Sequence, residues 1–114
     1  MKIRYSPAAR DDLRDLRRYI TVEFGVSVAA RSVGKIVADI TALKRHPALI
    51  RPLSDKIARP SAYSYFFCGR YSIAILAVAA NVISVVRILD GRTDYATTVF
   101  GLQGGAGENN ENER

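Results

Sequence analysis

Residues 63–100 read YSYFFCGRYSIAILAVAANVISVVRILDGRTDYATTVF, and this stretch decides the fold. Apolar runs at 62–68, 71–78 and 82–89 are rich in β-branched and aromatic residues, and Ala79, Ala80 and Asn81 supply a short turn between the last two. The pattern predicts three strands in an antiparallel meander. In the last two, both alternating sets are apolar. Tyr71, Ile73, Ile75 and Ala77 oppose Leu76 and Val78, and Ile83, Val85 and Leu89 oppose Val82, Val86 and Ile88. A strand that is apolar on both faces has to be covered on both. Helices can cover one face; the other calls for residues 95–102 or for another molecule.

Those helices are expected upstream. Residues 2–5 read as a short strand, after which Ser6 and Pro7 form an N-cap and first helical position. Ala9, Leu13, Leu16 and Ile20 recur at helical spacing, and the helix should end near Phe24 and Gly25. Ser27 is expected to cap a second helix with a stripe of Ala30, Val33, Ile36, Val37, Ile40 and Leu43, stopped by Pro47. A short turn containing glycine makes the pair an antiparallel hairpin. Residues 47–60 hold three prolines and no sustained period, and are expected to form a loop. The fold class is α+β, with an N-terminal strand and a helical hairpin packed on a small antiparallel sheet. One domain is expected at residues 1–102, followed by a disordered Gly/Asn/Glu-rich tail at 103–114.

At 114 residues the chain sits near the lower end of what buries a self-sufficient core, so a partner is a natural expectation. No apolar run approaches the roughly 18 residues of a membrane span, and Met1-Lys2-Ile3-Arg4 opens no secretory leader; a cytoplasmic protein is expected. The formal charge is +6, but residues 1–103 carry 16 basic and 8 acidic side chains. Thirteen of the basic residues are Arg, which favours bidentate contacts to phosphate or carboxylate. That points to nucleic acid or an acidic protein partner, or simply to solubility. Arg10, Arg14, Arg17 and Arg18 share one helix face, either solvated or beside a groove for an acidic ligand. Cys68 and His46 are the only residues of their kinds, so no internal disulfide, metal site or cofactor site is expected. His46, just before Pro47, reads as a solvated residue at a helix end.

Arg87 stands between Val85-Val86 and Ile88-Leu89, and a guanidinium there must meet a carboxylate or point into a polar concavity. Arg59 and Arg70 flank the first strand of the meander and Arg92 follows the last. With Tyr63, Tyr65, Tyr71 and Tyr95 they form an Arg/Tyr surface suited to phosphates and stacked bases or to a protein hot spot. Proton transfer near neutral pH usually draws on His, Glu or a perturbed Lys or Tyr. Around the strand ends the chain offers only Asp90, Asp94 and Tyr95. Asp90 and Asp94 flanking Arg92 read as a turn held by local ion pairs.

The element order, together with YSPAARDDL at 5–13, Tyr19-Ile20, and RILDGRTDY at 87–95, resembles the ParE/RelE superfamily of toxins from bacterial toxin-antitoxin pairs, over about residues 2–100. The resemblance implies a short C-terminal helix, no cofactor, and a cognate antitoxin of the ParD kind laid into an apolar groove. Leu13, Leu16, Ile20, Ile75 and Val85 are the expected antitoxin contacts. RelE-like members cleave messenger RNA on the ribosome, whereas ParE-like members, known for plasmid stabilisation, poison DNA gyrase. Many members have His where this chain has Asp90, and Arg where it has Ser72; Arg92 matches a basic position of RNA-cleaving members. These departures favour the ParE side. Arg70, Arg87, Arg92, Asp94 and Tyr95 are then expected to bind the target. In a nuclease, Arg59, Arg70, Arg87 and Arg92 would stabilise phosphate charge and Tyr95 or Asp94 would move protons. A third possibility is a member that has lost toxicity and survives as an antitoxin-binding partner.

Overall fold

In the computed structural model, which describes residues 1–57 and 59–92, the first strand β1 (Lys2–Tyr5) hands over to helix α1 (Pro7–Phe24) through Ser6. The Ser6 hydroxyl accepts from Ala9 N–H, as an N-cap should, and donates to the Val86 carbonyl at 2.7 Å. The cap that starts the helix therefore also pins it to the sheet.

A single residue, Gly25, separates α1 from α2 (Val26–Thr41). Its φ of 99° and ψ of 164° lie outside what a side chain tolerates, so glycine is what allows so abrupt a hairpin. The expected cap at Ser27 is displaced for this reason: α2 starts at Val26 with Gly25 in the cap position and no side-chain bond. At its other end α2 stops at Thr41, and a 3₁₀ turn at Ala42–Lys44 completes the expected stripe by burying Leu43. The buried alanine is Ala29, whereas the expected Ala30 is exposed.

The meander is present as β3 (Ser64–Cys68), β4 (Ser72–Ala79) and β5 (Val82–Asp90), with a two-residue turn whose Ala80 and Asn81 both have positive φ. The segment expected to be a loop is more ordered than its prolines suggested. It holds a 3₁₀ turn at Pro47–Leu49, the two-residue strand β2 (Arg51–Pro52) and the short helix α3 (Ser54–Ile57). Sheet order is β1-β5-β4-β3-β2, with β1 parallel to β5 and all other pairs antiparallel.

Leu16 and Ile20 of α1 and Ile36 and Ile40 of α2 bury one sheet face, meeting Cys68, Ala74, Leu76, Ile83, Val85 and Ile88. On the other face Ile73, Ile75 and Leu89 pack with Leu53, Ile57 and Tyr65. The segment between the prolines thus supplies part of the second cover. A bulge shifts β5 in mid-strand: Ile75 pairs with Arg87 but Leu76 pairs with Val85, leaving Val86 as the extra residue. Without it, Ile88 and Asp90 would turn away from the helices. Residues 93–114, including the expected C-terminal helix and tail, lie outside the described residues.

Candidate functional site

The bulge brings Asp90 onto the helix side of the sheet directly opposite Ser72. Its carboxylate, only 3% exposed, accepts from Ser72 Oγ at 2.7 Å, from Arg92 N–H at 2.9 Å, and from Arg92 Nε and Nη2 at 2.7 and 2.8 Å. Gly91 N–H donates to the Tyr71 carbonyl, which closes the turn. Hydrogen bonding to Asp90 outweighs burial and raises the Arg92 pKa further above its ordinary value. The Arg92 guanidinium lies 4.9 Å from the centre of the Tyr71 ring, and Arg70 lies 5.9 Å from it. The expected ion-paired turn is present for Asp90 and Arg92; Asp94 and Tyr95 lie outside the described residues.

This corner forms the floor of a concave surface under the helical hairpin. Asp39 of α2 sets the hairpin over the β3–β4 turn, because its carboxylate accepts Gly69 N–H at 2.8 Å while Lys35 Nζ holds the other oxygen at 2.8 Å. Burial alone would raise the Asp39 pKa, yet these two hydrogen bonds and the Lys35 charge hold it below the ordinary carboxylate value. Gly69 has φ +61°, and a Cβ there would meet Ile36 Cγ1 at 3.0 Å, so helix and turn approach as closely as glycine permits. Two adjoining depressions result. One, of about 200 Å³, is lined by Arg31 and Lys35 from α2 facing Arg70, Ser72 and Arg92. The other, of about 660 Å³, shares Ser32, Arg70, Tyr71 and Arg92 and is walled by Tyr19, Phe24 and Val28 of the hairpin. The surface therefore has a cationic end and an apolar, aromatic end.

Arg70 and Arg92 meet in this concavity as expected. Arg87 does not join them. Beyond Val85, where β1 has ended, Asp12 of α1 caps the edge of β5: its carboxylate takes Arg87 Nε and Nη2 at 2.7 and 2.8 Å and Ile88 N–H at 2.8 Å. Arg87 faces a separate depression beside Asp15 and Tyr19. Arg59 is exposed ahead of β3 and lines neither half of the concavity. The α1 arginines 10, 14, 17 and 18 are exposed, with Arg14 and Arg18 sharing Asp11 and Asp15, so that face is solvated. His46 is exposed as well. Among the described residues no group of three or more His, Cys, Asp or Glu is arranged to hold a metal.

Of the expected antitoxin contacts, Leu16, Ile20, Val85 and Ile75 are buried within the chain itself, and Leu13 is half-buried against the same core. The large apolar side chains left exposed are elsewhere, including Val22, Phe24 and Val26 at the hairpin tip and Phe67 on β3. Arg31, Lys35, Tyr19 and Phe24 entered the concavity without a sequence signal that named it. The i, i+4 spacing of Arg31 and Lys35 does put both on one helix face, but which strand end that face overhangs is a tertiary fact.

A family model described as the ParE toxin of the type II toxin-antitoxin system parDE matches residues 3–95. Among solved structures, a chain of the "Chromosomal ParDE TA system from P. aeruginosa" superposes with a TM-score of 0.66 at 20% sequence identity, covering 79% of this chain and 95% of that one. No curated protein sequence matches the chain.

Proposed function

Since the chain belongs to the ParE toxin family of type II toxin-antitoxin systems, we propose that it arrests growth by gripping a cytoplasmic target, DNA gyrase, without cutting a bond in it. The reading rests above all on the Ser72–Asp90–Arg92 network. A ribonuclease at this corner needs a group that can exchange protons and a cation free to meet the developing phosphate charge. Here a serine hydroxyl and a carboxylate stand at the two cross-strand positions, and the Arg92 guanidinium is bonded twice to that carboxylate. Such a corner offers a partner a rigid polar edge, its own charge largely cancelled within the Asp90–Arg92 pair. Arg70, exposed beside it, extends the contact surface.

A cognate antitoxin of the ParD kind neutralises the toxin in this reading. The apolar side chains exposed at the hairpin tip, Val22 at 76%, Phe24 at 56% and Val26 at 69%, support a protein partner, since three large apolar groups stand exposed within five residues of the chain around Gly25. The alternative, a ribosome-dependent messenger RNA endoribonuclease, would draw on Arg70 and Arg92 in the same concavity. Expression in a susceptible cell, with primer extension on transcripts and a gyrase supercoiling assay, separates the two. Inhibited supercoiling with intact transcripts is expected. Cleavage within codons would overturn the proposal, and unimpaired growth on expression without antitoxin would point to a fold that has lost its toxicity.

A further inference from the structure

We propose that the concavity under the helical hairpin is a binding site for a phosphate-bearing, planar ligand of the nucleotide class. Its two ends differ in the way such a ligand differs along its length. At the cationic end Arg31 and Arg70 have no ion-pair partner among the described residues and supply the positive charge, while Arg92, its own charge balanced by Asp90, forms a rigid floor beside them. Tyr71 beds the Arg70 and Arg92 guanidinium groups at 5.9 and 4.9 Å, which limits their rotation and leaves N–H edges of Arg70 for a phosphate. Tyr71 is thereby engaged by cations, so a base has to find its surface at the other end. There Tyr19 and Phe24, 38% and 56% exposed, offer aromatic area on the wall of the larger depression. Its volume of about 660 Å³ falls within the usual range for small-molecule sites. An acidic peptide would satisfy the arginines but makes no particular use of two aromatic rings across from them.

The site does not depend on which macromolecule the toxin attacks, and its test involves neither growth nor supercoiling. The full-length chain is titrated calorimetrically with AMP, adenosine, inorganic phosphate, a pentaglutamate peptide and a ten-residue oligothymidylate. AMP is expected to bind saturably and more tightly than adenosine or phosphate alone. Arg31→Ala and Arg70→Ala should each weaken AMP by about tenfold. Phe24→Ala should weaken AMP by a similar factor while leaving phosphate unchanged. Arg10→Ala, on the solvated face of α1, should change nothing, and circular dichroism verifies that each variant is folded. Tighter binding of the oligonucleotide with a steeper salt dependence assigns the phosphate to a nucleic-acid chain; AMP binding at least as tight assigns it to free nucleotide. Absence of saturable binding by both AMP and the oligonucleotide, equal affinity for pentaglutamate, or affinities unmoved by Arg31→Ala and Arg70→Ala would overturn the proposal.

Discussion

Replacing Asp90 tests whether the corner beside the concavity is held by its charge network. Four hydrogen bonds converge on this carboxylate: Ser72 Oγ at 2.7 Å, Arg92 N–H at 2.9 Å, and two from the guanidinium at 2.7 and 2.8 Å. Asp90→Ala removes both acceptor oxygens, and with them all four of these bonds, and leaves a guanidinium that is 14% exposed without its carboxylate. Breaking a buried ion pair from one side costs about 3–5 kcal/mol. Against a total stability on the order of 5–10 kcal/mol for a domain of this size, that is a large share. The melting temperature should fall by roughly 15 °C or more. Arg92→Ala leaves Ser72 and a backbone N–H on the carboxylate, so its cost should be smaller, about 2 kcal/mol. The double variant should cost less than the sum of the two by about 2 kcal/mol, because neither charge is then stranded. Urea unfolding followed by circular dichroism gives all three values. Strict additivity, within about 0.5 kcal/mol, would refute the reasoning, since it would mean the two side chains act independently.

Other consequences are more local. The Tyr5 hydroxyl is buried with no hydrogen-bond partner among the described residues, so Tyr5→Phe should leave stability unchanged or raise it by up to about 1 kcal/mol in the same unfolding assay. Burial pushes the Cys68 thiol up to about 12, with the charges of Asp39 and Asp90 adding to the effect. At pH 8 its thiolate population is then lower than that of an ordinary cysteine by roughly a thousandfold, and labelling by a chromogenic disulfide should wait on unfolding. Asp39 is held below its ordinary pKa in the folded chain, so the unfolded chain takes up that proton first on acidification. Its contribution is therefore complete above the unfolded value, about 4, and lost as pH falls through the native one. Asp39→Asn should flatten the decline of stability below pH 4, read from melting temperatures across a pH series.

Local chemistry made much of the fold legible. Ser6 and Pro7 announce a helix start because a cap and a missing N–H act within one turn, and the apolar, β-branched runs of residues 71–89, split by a short turn, mark strands whatever they pair with. Arg87 was readable as a residue in need of a carboxylate, although nothing near it in sequence names Asp12, which lies 75 positions away. What stayed hidden depends on long-range geometry. The parallel pairing of β1 with β5 leaves no local mark. The extra residue at Val86 resets the face of everything after it, which is why Asp90 meets Ser72 on the helix side. In the segment from Pro47 onward, Leu53 and Ile57 are ordered by the apolar face they cover rather than by their own propensity. The concavity was half visible, through Arg70, Tyr71 and Arg92. Its other wall comes from α1 and α2, whose place over the sheet is set by core packing and, at the β3–β4 turn, by the hydrogen bond between Asp39 and Gly69.

The central claim is that this ParE-family chain acts by binding and that the Ser72–Asp90–Arg92 corner carries out no cleavage. The most direct measurement combines purified chain, DNA gyrase and relaxed plasmid in one reaction, and purified chain, ribosomes and messenger RNA in another, each with and without the cognate antitoxin. The account predicts that supercoiling stops in the first, that transcripts stay intact in the second, and that the antitoxin restores supercoiling. Transcripts cut within codons, alongside normal supercoiling, would contradict it.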